Sequence, residues 1–228
     1  AMTYRQVPNI LTVLRLVLAA VFFIVLNQYR YDSGRPEWLL VAAGVIFILA
    51  ALTDAADGYL ARRWHVESTF GRIMDPFCDK VLVIGAFIYL AGPRFVIPDR
   101  VPDSFFTMVS GVYPWMVAII LARELLVTAV RGEVETTGVA FGANLWGKLK
   151  MILQSIGIPV ILLIVYLDPA AEGYRWLAWV RDVLVYAIVI VTALSVLPYL
   201  TQAARALNPP QAEELDRKTA AQQRSAKT

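Results

Sequence analysis

The sequence predicts an all-α integral membrane protein, a bundle of six transmembrane helices with the N- and C-termini in the cytoplasm. The first observation is composition: 58% of the 228 residues are hydrophobic, compared with roughly 45–50% in an ordinary soluble domain. The mean hydropathy is +0.59. The second observation is that apolar runs of about 20 residues, the length needed to cross a bilayer, recur along the chain.

Apolar runs, and the polar, proline or glycine breaks between them, define the individual elements. The predicted spans cover about residues 9–29, 37–60, 75–92, 112–131, 145–167 and 176–204. The first run lacks the cleavage pattern of a signal peptide, so we expect a retained helix. The prolines between residues 93 and 111 predict an external loop. We divide the chain into a membrane domain, residues 1–207, and a polar, mobile cytoplasmic tail, residues 208–228.

The distribution of positive charge sets the orientation. Cytoplasmic loops of membrane proteins carry an excess of Lys and Arg. With both termini inside, most of the 21 Lys and Arg residues lie on the cytoplasmic side. The outer side then holds only Arg30, Arg35, Arg94, Arg100, Arg175 and Arg181. Because the cations end apolar runs and the net charge is only +3, the pattern argues against a nucleic-acid partner.

The segment "DAADGYLARRWHVESTFGRIMDPFCDK", residues 54–80, places four aspartates between the second and third spans. Asp54 and Asp57 are three residues apart and Asp75 and Asp79 four apart, so each pair shares one face of a helix. Four carboxylates at close range require a positive group between them. Oxygen ligands favour hard cations such as Mg²⁺, Mn²⁺ or Ca²⁺, and two divalent ions would balance the charge.

Small and basic residues accompany the aspartates. Gly58 and Ala61 leave room for a ligand to lie against the backbone, and Arg62 can offer a fork of donors to a phosphate. Metals, an arginine and a cleft of small residues together indicate a diphosphate substrate. An aspartate that is not fully committed to metal could accept a proton from an attacking hydroxyl.

Written as DxxDGxxAR(x8)GxxxDxxxD, these residues resemble the signature of the CDP-alcohol phosphotransferase (CDP-alcohol phosphatidyltransferase) family at every position. The resemblance extends to "PNILTVLR", with Pro8, Asn9, Thr12 and Arg15, and to the six-span layout. It implies an integral membrane enzyme, usually a homodimer. Such an enzyme moves a phosphatidyl or phosphoalcohol group from a CDP-linked donor to an alcohol and releases CMP.

The resemblance also implies roles for individual residues. Two divalent cations, Mg²⁺ or Mn²⁺, would be bound by Asp54, Asp57, Asp75 and Asp79. Asp79 would also be the general base, and so the catalytic residue. The CDP part of the donor would be bound by Asn9, Thr12, Asp57, Gly58, Ala61, Arg62 and Gly71.

Two further stretches, "ARELLVTAVR" (122–131) and "NLWGKLKMILQ" (144–154), resemble those of bacterial phosphatidylglycerophosphate synthases. That resemblance implies CDP-diacylglycerol and glycerol 3-phosphate as substrates, in the bacterial cytoplasmic (inner) membrane with the active site facing the cytoplasm. The dianionic acceptor needs cations, and the candidates are Arg123, Arg131, Lys148 and Lys150. Residues 148 and 150 are about 200° apart on a helix. We therefore expect one lysine to reach lipid headgroups and favour Lys148 for the site.

Three alternatives remain. The same chemistry could use inositol phosphate, serine or phosphatidylglycerol as the acceptor. An intramembrane prenyltransferase would fit the spacing of Asp75 and Asp79, although the other signature residues do not belong to that pattern. A cation transporter would place acidic residues near mid-membrane, whereas these aspartates cluster at the predicted cytoplasmic edge.

Overall fold

The computed structural model describes residues 7–31, 37–64, 69–97, 107–136, 145–168 and 175–207. Within these ranges the regular structure is helical, which confirms the all-α prediction. The helices are α1 (Val7–Gln28), α2 (Trp38–Trp64), α3 (Thr69–Leu90), α4 (Pro114–Thr136), α5 (Leu145–Tyr166), α6 (Arg175–Leu194) and α7 (Leu197–Leu207). A short 3₁₀ turn, Pro93–Phe95, follows α3. The predicted tail, residues 208–228, lies outside the described residues.

Three described segments are long and apolar enough to cross a membrane: Ile10–Gln28, Leu145–Tyr166 and Trp176–Thr201. The apolar part of α2, Trp38–Asp54, is shorter. Both α3 and α4 carry charged residues within their length, which lowers their hydropathy. Large apolar side chains such as Trp179 and Val183 remain exposed on α6, as expected of a helix that is apolar all round. The chain is therefore a membrane-associated helical protein.

The predicted sixth span is broken. The sequence predicts one span over residues 176–204, and the apolar segment Trp176–Thr201 agrees with it, but within that segment α6 ends at Leu194 and α7 begins at Leu197. Pro198 supplies the physical reason, because it has no N–H to donate to the carbonyl of Leu194 and its ring disfavours a continuous helix there. As the second residue of α7, the same proline is tolerated.

The core forms where α1 packs against α2 and α3, α2 against α5, and α5 against α6. Phe22 of α1 and Phe47 of α2 are buried, with ring centroids 5.7 Å apart. Phe23 stacks on Tyr89 of α3 at 5.4 Å. A Cβ at Gly85 would overlap the Phe23 ring, so this glycine permits the close approach of α1 and α3. α4 packs against α6, α7 and α3.

The described parts of the loop between α3 and α4, residues 91–97 and 107–113, pack at the end of the bundle away from the aspartates. Ser110 Oγ donates to the Leu90 carbonyl at 2.6 Å, and Arg181 Nη1 donates to the Val109 carbonyl at 2.7 Å. Gly111 has φ +68°, and a Cβ there would lie 2.7 Å from Arg181 Nε. Glycine at this position therefore allows the loop to pack closely against Arg181 of α6.

Candidate active site

Asp54 of α2 and Asp79 of α3 line one cavity of about 480 Å³, here called the acidic cavity. Most of its remaining lining is apolar and comes from α2, α3 and α5. Arg15 of α1 also lines it, and Arg15 Nη2 lies 2.6 Å from Asp54 Oδ1. The Arg15 side chain is 1% exposed and that of Asp54 is 46% exposed. Asp54 therefore has a buried cation on one side and open space on the other.

Arg15 is a site residue that the sequence reasoning did not assign. Thr12, expected at the nucleotide, is also buried and lies three residues before Arg15 on α1. Residues three apart share a helix face, so both face the bundle. The signal was present in the stretch "PNILTVLR", in which Arg15 is the charged residue of an otherwise uncharged helix start.

The donor set of the acidic cavity fits a hard divalent cation. Asp54 and Asp79 bring carboxylate oxygens to one space, and such oxygens are preferred ligands of Mg²⁺ and Ca²⁺. Asp57 and Asp75 belong to the same two helices, one turn away, but their side chains lie outside the described residues. Among the side chains that are described, no group of three or more His, Cys, Asp or Glu residues could hold a metal.

Several residues expected to bind CDP cannot be located at the level of side chains. Their backbones belong to α1, α2 and α3. The residues concerned are Asn9, Gly58, Ala61, Arg62 and Gly71, whose side-chain surroundings lie outside the described part of the structure.

A second cavity, of about 650 Å³, lies between α3, α4, α5 and α7 and is here called the basic cavity. Its charged lining residues are Asp79, Lys80, Arg123, Glu124, Arg131, Lys148 and Lys150. Asp79 and Met151 line both cavities. One carboxylate therefore stands where a largely apolar space meets a cationic one.

A buried carboxylate organises the cations. Arg123 Nη1 lies 3.1 Å from Glu124 Oε1, and Lys150 Nζ forms an ion pair with the same oxygen. All three side chains are buried. Buried charges are stable only when they are paired, so Glu124 holds one cation of α4 and one of α5 in place. The sequence reasoning missed Glu124, although an acid beside Arg123 in an apolar helix was the available signal.

The structure changes the expected role of Lys150 and leaves Lys148 at the site. Lys150 is buried and Lys148 is exposed, and both line the basic cavity. The expectation that Lys150 turns to lipid headgroups is therefore wrong. The reason is the rotation of α5, whose buried face includes Lys150, Gln154, Gly157 and Ile161.

The two arginines meet an aromatic ring from α7. Arg123 Cζ lies 5.6 Å from the centroid of the Tyr199 ring, and Arg131 Cζ lies 5.9 Å from it. Arg123 Nε also donates to Ser195 Oγ at 2.8 Å, at the turn between α6 and α7. Tyr199 is 5% exposed. Neither Ser195 nor Tyr199 was predicted, because the turn that presents them was not.

The arrangement can bring an amphipathic molecule and an anion to one carboxylate. The acidic cavity offers oxygen ligands and Arg15 beside apolar walls. The basic cavity offers several cations on the other side of Asp79. A carboxylate that lines both cavities can accept a proton from a group in one cavity while that group reacts with a molecule in the other cavity.

The sequence is similar to those of known proteins over most of its length. The model of the CDP-alcohol phosphatidyltransferase family matches residues 5–194. A CDP-diacylglycerol–glycerol-3-phosphate 3-phosphatidyltransferase of Bacillus subtilis is 34% identical over 165 residues, which cover 69% of this chain and 77% of the relative. A protein of the same name from Cereibacter sphaeroides is 35% identical over a stretch that covers 78% of this chain and 74% of the relative. Another from Rickettsia bellii is 32% identical over a stretch that covers 76% of this chain and 87% of the relative. The chain therefore belongs to the CDP-alcohol phosphatidyltransferase family.

Proposed function

We propose that the protein transfers the phosphatidyl group of CDP-diacylglycerol to glycerol 3-phosphate, giving phosphatidylglycerophosphate and CMP. The observation that carries this proposal is the position of Asp79, which lines both the apolar acidic cavity and the cationic basic cavity. The names of the relatives supply the two substrates. A lipid-linked diphosphate suits the first cavity, and a small phosphorylated alcohol suits the second.

An apolar groove supports the assignment of the lipid donor. It has a volume of about 270 Å³ and lies between α2 and α5. Ile48, Pro159 and Val160 line both this groove and the acidic cavity. A Cβ at Gly44, within the groove, would meet no atom within 4 Å. An acyl chain in the groove would bury apolar surface and leave the diphosphate beside Asp54.

The headgroup of the donor would then lie along α1, α2 and α3. Asp54, Asp57, Asp75 and Asp79 would hold two divalent cations, Mg²⁺ or Mn²⁺. When bound, such ions neutralise charge on phosphoryl oxygens and on the leaving group. Arg15 keeps the Asp54 carboxylate oriented through the contact at 2.6 Å. The nucleotide would be bound by Asn9, Thr12, Asp57, Gly58, Ala61, Arg62 and Gly71.

The basic cavity would receive the phosphate of the acceptor, through Arg123, Arg131, Lys148 and Lys150. Asp79 accepts the proton of the acceptor hydroxyl while the hydroxyl oxygen forms a bond to the phosphatidyl phosphorus. The bond from that phosphorus to the CMP oxygen breaks, and its electron pair leaves with CMP. A positioned base of this kind contributes about 10²–10⁴-fold to a rate.

The same proposal includes a topology. Six spans with both termini inside put the basic cavity at the cytoplasmic side, where a water-soluble acceptor arrives, while the lipid remains in the cytoplasmic (inner) membrane. The apolar segments found in α1, α2, α5 and α6 support this topology. Residues 1–207 form the membrane domain and 208–228 a cytoplasmic tail, and the family resemblance adds a homodimer.

The test is CMP release by the purified protein with Mg²⁺ or Mn²⁺, CDP-diacylglycerol and glycerol 3-phosphate. Asp79→Asn is expected to abolish release without unfolding the protein, because the amide cannot accept the proton. Asp182→Asn, the same change at the opposite end of the bundle, is the matched control. Full activity of Asp79→Asn would refute the assigned base. Activity with inositol phosphate, serine or phosphatidylglycerol but not with glycerol 3-phosphate would refute the acceptor.

A further inference from the structure

We infer that Tyr199 of α7 is a positioning residue that fixes Arg123 and Arg131 for the acceptor's phosphate. The inference rests on the proposed function, because that phosphate is the anion assigned to the basic cavity. It extends the acceptor site to a helix that neither the motif nor the predicted spans include. The ring, rather than the tyrosine hydroxyl, is the part of the side chain assigned this role.

One ring contacts two guanidinium groups that are far apart in sequence position. Arg123 and Arg131 are eight residues apart on α4, which separates their backbones by about 12 Å. Their Cζ atoms nevertheless lie 5.6 and 5.9 Å from the same Tyr199 centroid. A ring face attracts cations within about 6 Å. The ring therefore contacts two groups of like charge in the cavity that it lines.

The two arginines depend on the ring to different extents. Arg123 is buried and is also held by Ser195 and by Glu124. Arg131 is exposed, and a long exposed side chain loses much conformational entropy when it is fixed. Loss of the ring is therefore expected to release Arg131 more than Arg123, and to weaken acceptor binding while the rest of the site remains assembled.

The backbone of α5 sets the position of the ring. A Cβ added at Gly147 would lie 2.8 Å from Tyr199 Oη and 3.8 Å from Tyr199 Cζ. The first distance is too short for a real contact, whereas the second is ordinary van der Waals contact. Alanine at position 147 must therefore displace the tyrosine ring, but it would fit beside a phenylalanine ring. This difference provides a rescue experiment.

The experiment measures KM for each substrate and kcat by CMP release. Tyr199→Leu is expected to raise KM for glycerol 3-phosphate about tenfold, through the loss of one buried and one exposed cation–π contact. KM for CDP-diacylglycerol should change less than twofold. Tyr199→Phe, which keeps the ring, should have a smaller effect than Tyr199→Leu. Tyr186→Leu on α6, whose exposed ring lies 6.5 Å from that of Trp115, is the matched control and should match the wild type.

The decisive comparison uses Gly147→Ala alone and combined with Tyr199→Phe. The single variant should raise KM for glycerol 3-phosphate, and the double variant should restore it to the value of Tyr199→Phe. Additive effects in the double variant would refute the inference. So would an unchanged KM in Tyr199→Leu, or equal changes in the KM of both substrates. Failure of the proposed function is recognised separately, because the wild-type protein itself would then release no CMP with glycerol 3-phosphate, and the inference would fall with it.

Discussion

Replacing Glu124 by glutamine removes the negative charge between Arg123 and Lys150 and keeps the size of the side chain. Both cations bind the same carboxylate oxygen, and all three side chains are buried. The variant leaves two neighbouring buried cations without their shared anion. We expect Glu124→Gln to lower the free energy of unfolding, and we expect an added anion to restore part of the loss.

The magnitude follows from the contacts. A hydrogen bond to a charged group contributes about 1.5–3 kcal/mol, and a neutral one about 1 kcal/mol. The variant loses two charged contacts, together about 3–6 kcal/mol, and keeps one neutral contact of about 1 kcal/mol, which leaves about 2–5 kcal/mol. Because the residues border an open cavity, solvent access puts the loss at the lower end of that range. The expected loss is therefore about 2–3 kcal/mol. For a chain of this size each kcal/mol shifts the melting temperature by about 2–4 °C, so we expect a fall of about 4–12 °C.

The assay is thermal unfolding in detergent, with and without inorganic phosphate or glycerol 3-phosphate. A ligand at 100 times its Kd adds about 2.7 kcal/mol to stability, and the anion should raise the melting temperature of Glu124→Gln more than that of the wild type. Glu133→Gln, an exposed change on the same helix, should cost less than about 0.5 kcal/mol. Equal melting temperatures for the two variants would refute the role of Glu124, as would equal stabilisation of Glu124→Gln and the wild type by the anion.

Three further predictions follow from packing and from the donor set. Gly85→Ala should lower the free energy of unfolding by about 1–3 kcal/mol, because the added Cβ overlaps the Phe23 ring and overpacking destabilises a core. Gly132→Ala, which has open space around the Cβ, should not lower it, and equal melting temperatures for the two variants would contradict this packing. Gly44→Leu should fill the apolar groove and raise KM for long-chain CDP-diacylglycerol several-fold; an equal rise with a short-chain donor would show that the acyl chain lies elsewhere. Chelation with EDTA should stop CMP release and added Mg²⁺ or Mn²⁺ should restore it; release that persists in EDTA would exclude the assigned cations.

Local patterns in the sequence predicted the helices well, because apolar length and its interruptions are local properties. The fifth span, predicted over residues 145–167, corresponds to α5 (Leu145–Tyr166). The break before α7 was missed because the apolar pattern continues through it. Only Pro198 marked the place, and a single proline can also bend a helix without ending it.

The contacts between helices were harder to predict. Arg15 and Asp54 are far apart in sequence, and their contact at 2.6 Å depends on how α1 packs on α2. Helical geometry predicted that Lys148 and Lys150 could not both face the site, yet both line the basic cavity, and the sequence could not tell which of them is buried. That choice depends on the rotation of α5, for which Gln154, the buried polar residue one turn after Lys150, was a usable signal.

The hydrogen bonds at the end of the bundle opposite the aspartates have a consequence for the membrane itself. Adjoining cavities that hold carboxylates and cations inside an apolar bundle could let ions leak across the membrane. At that end Ser110 donates to a carbonyl at the end of α3, and Arg181 of α6 donates to the Val109 carbonyl, so these bonds join the two helices away from both cavities. With the proposed topology, the charged cavities open toward the cytoplasm, and we expect these bonds to limit movement of the helix ends on the outer side, where ions would otherwise leak across the bilayer.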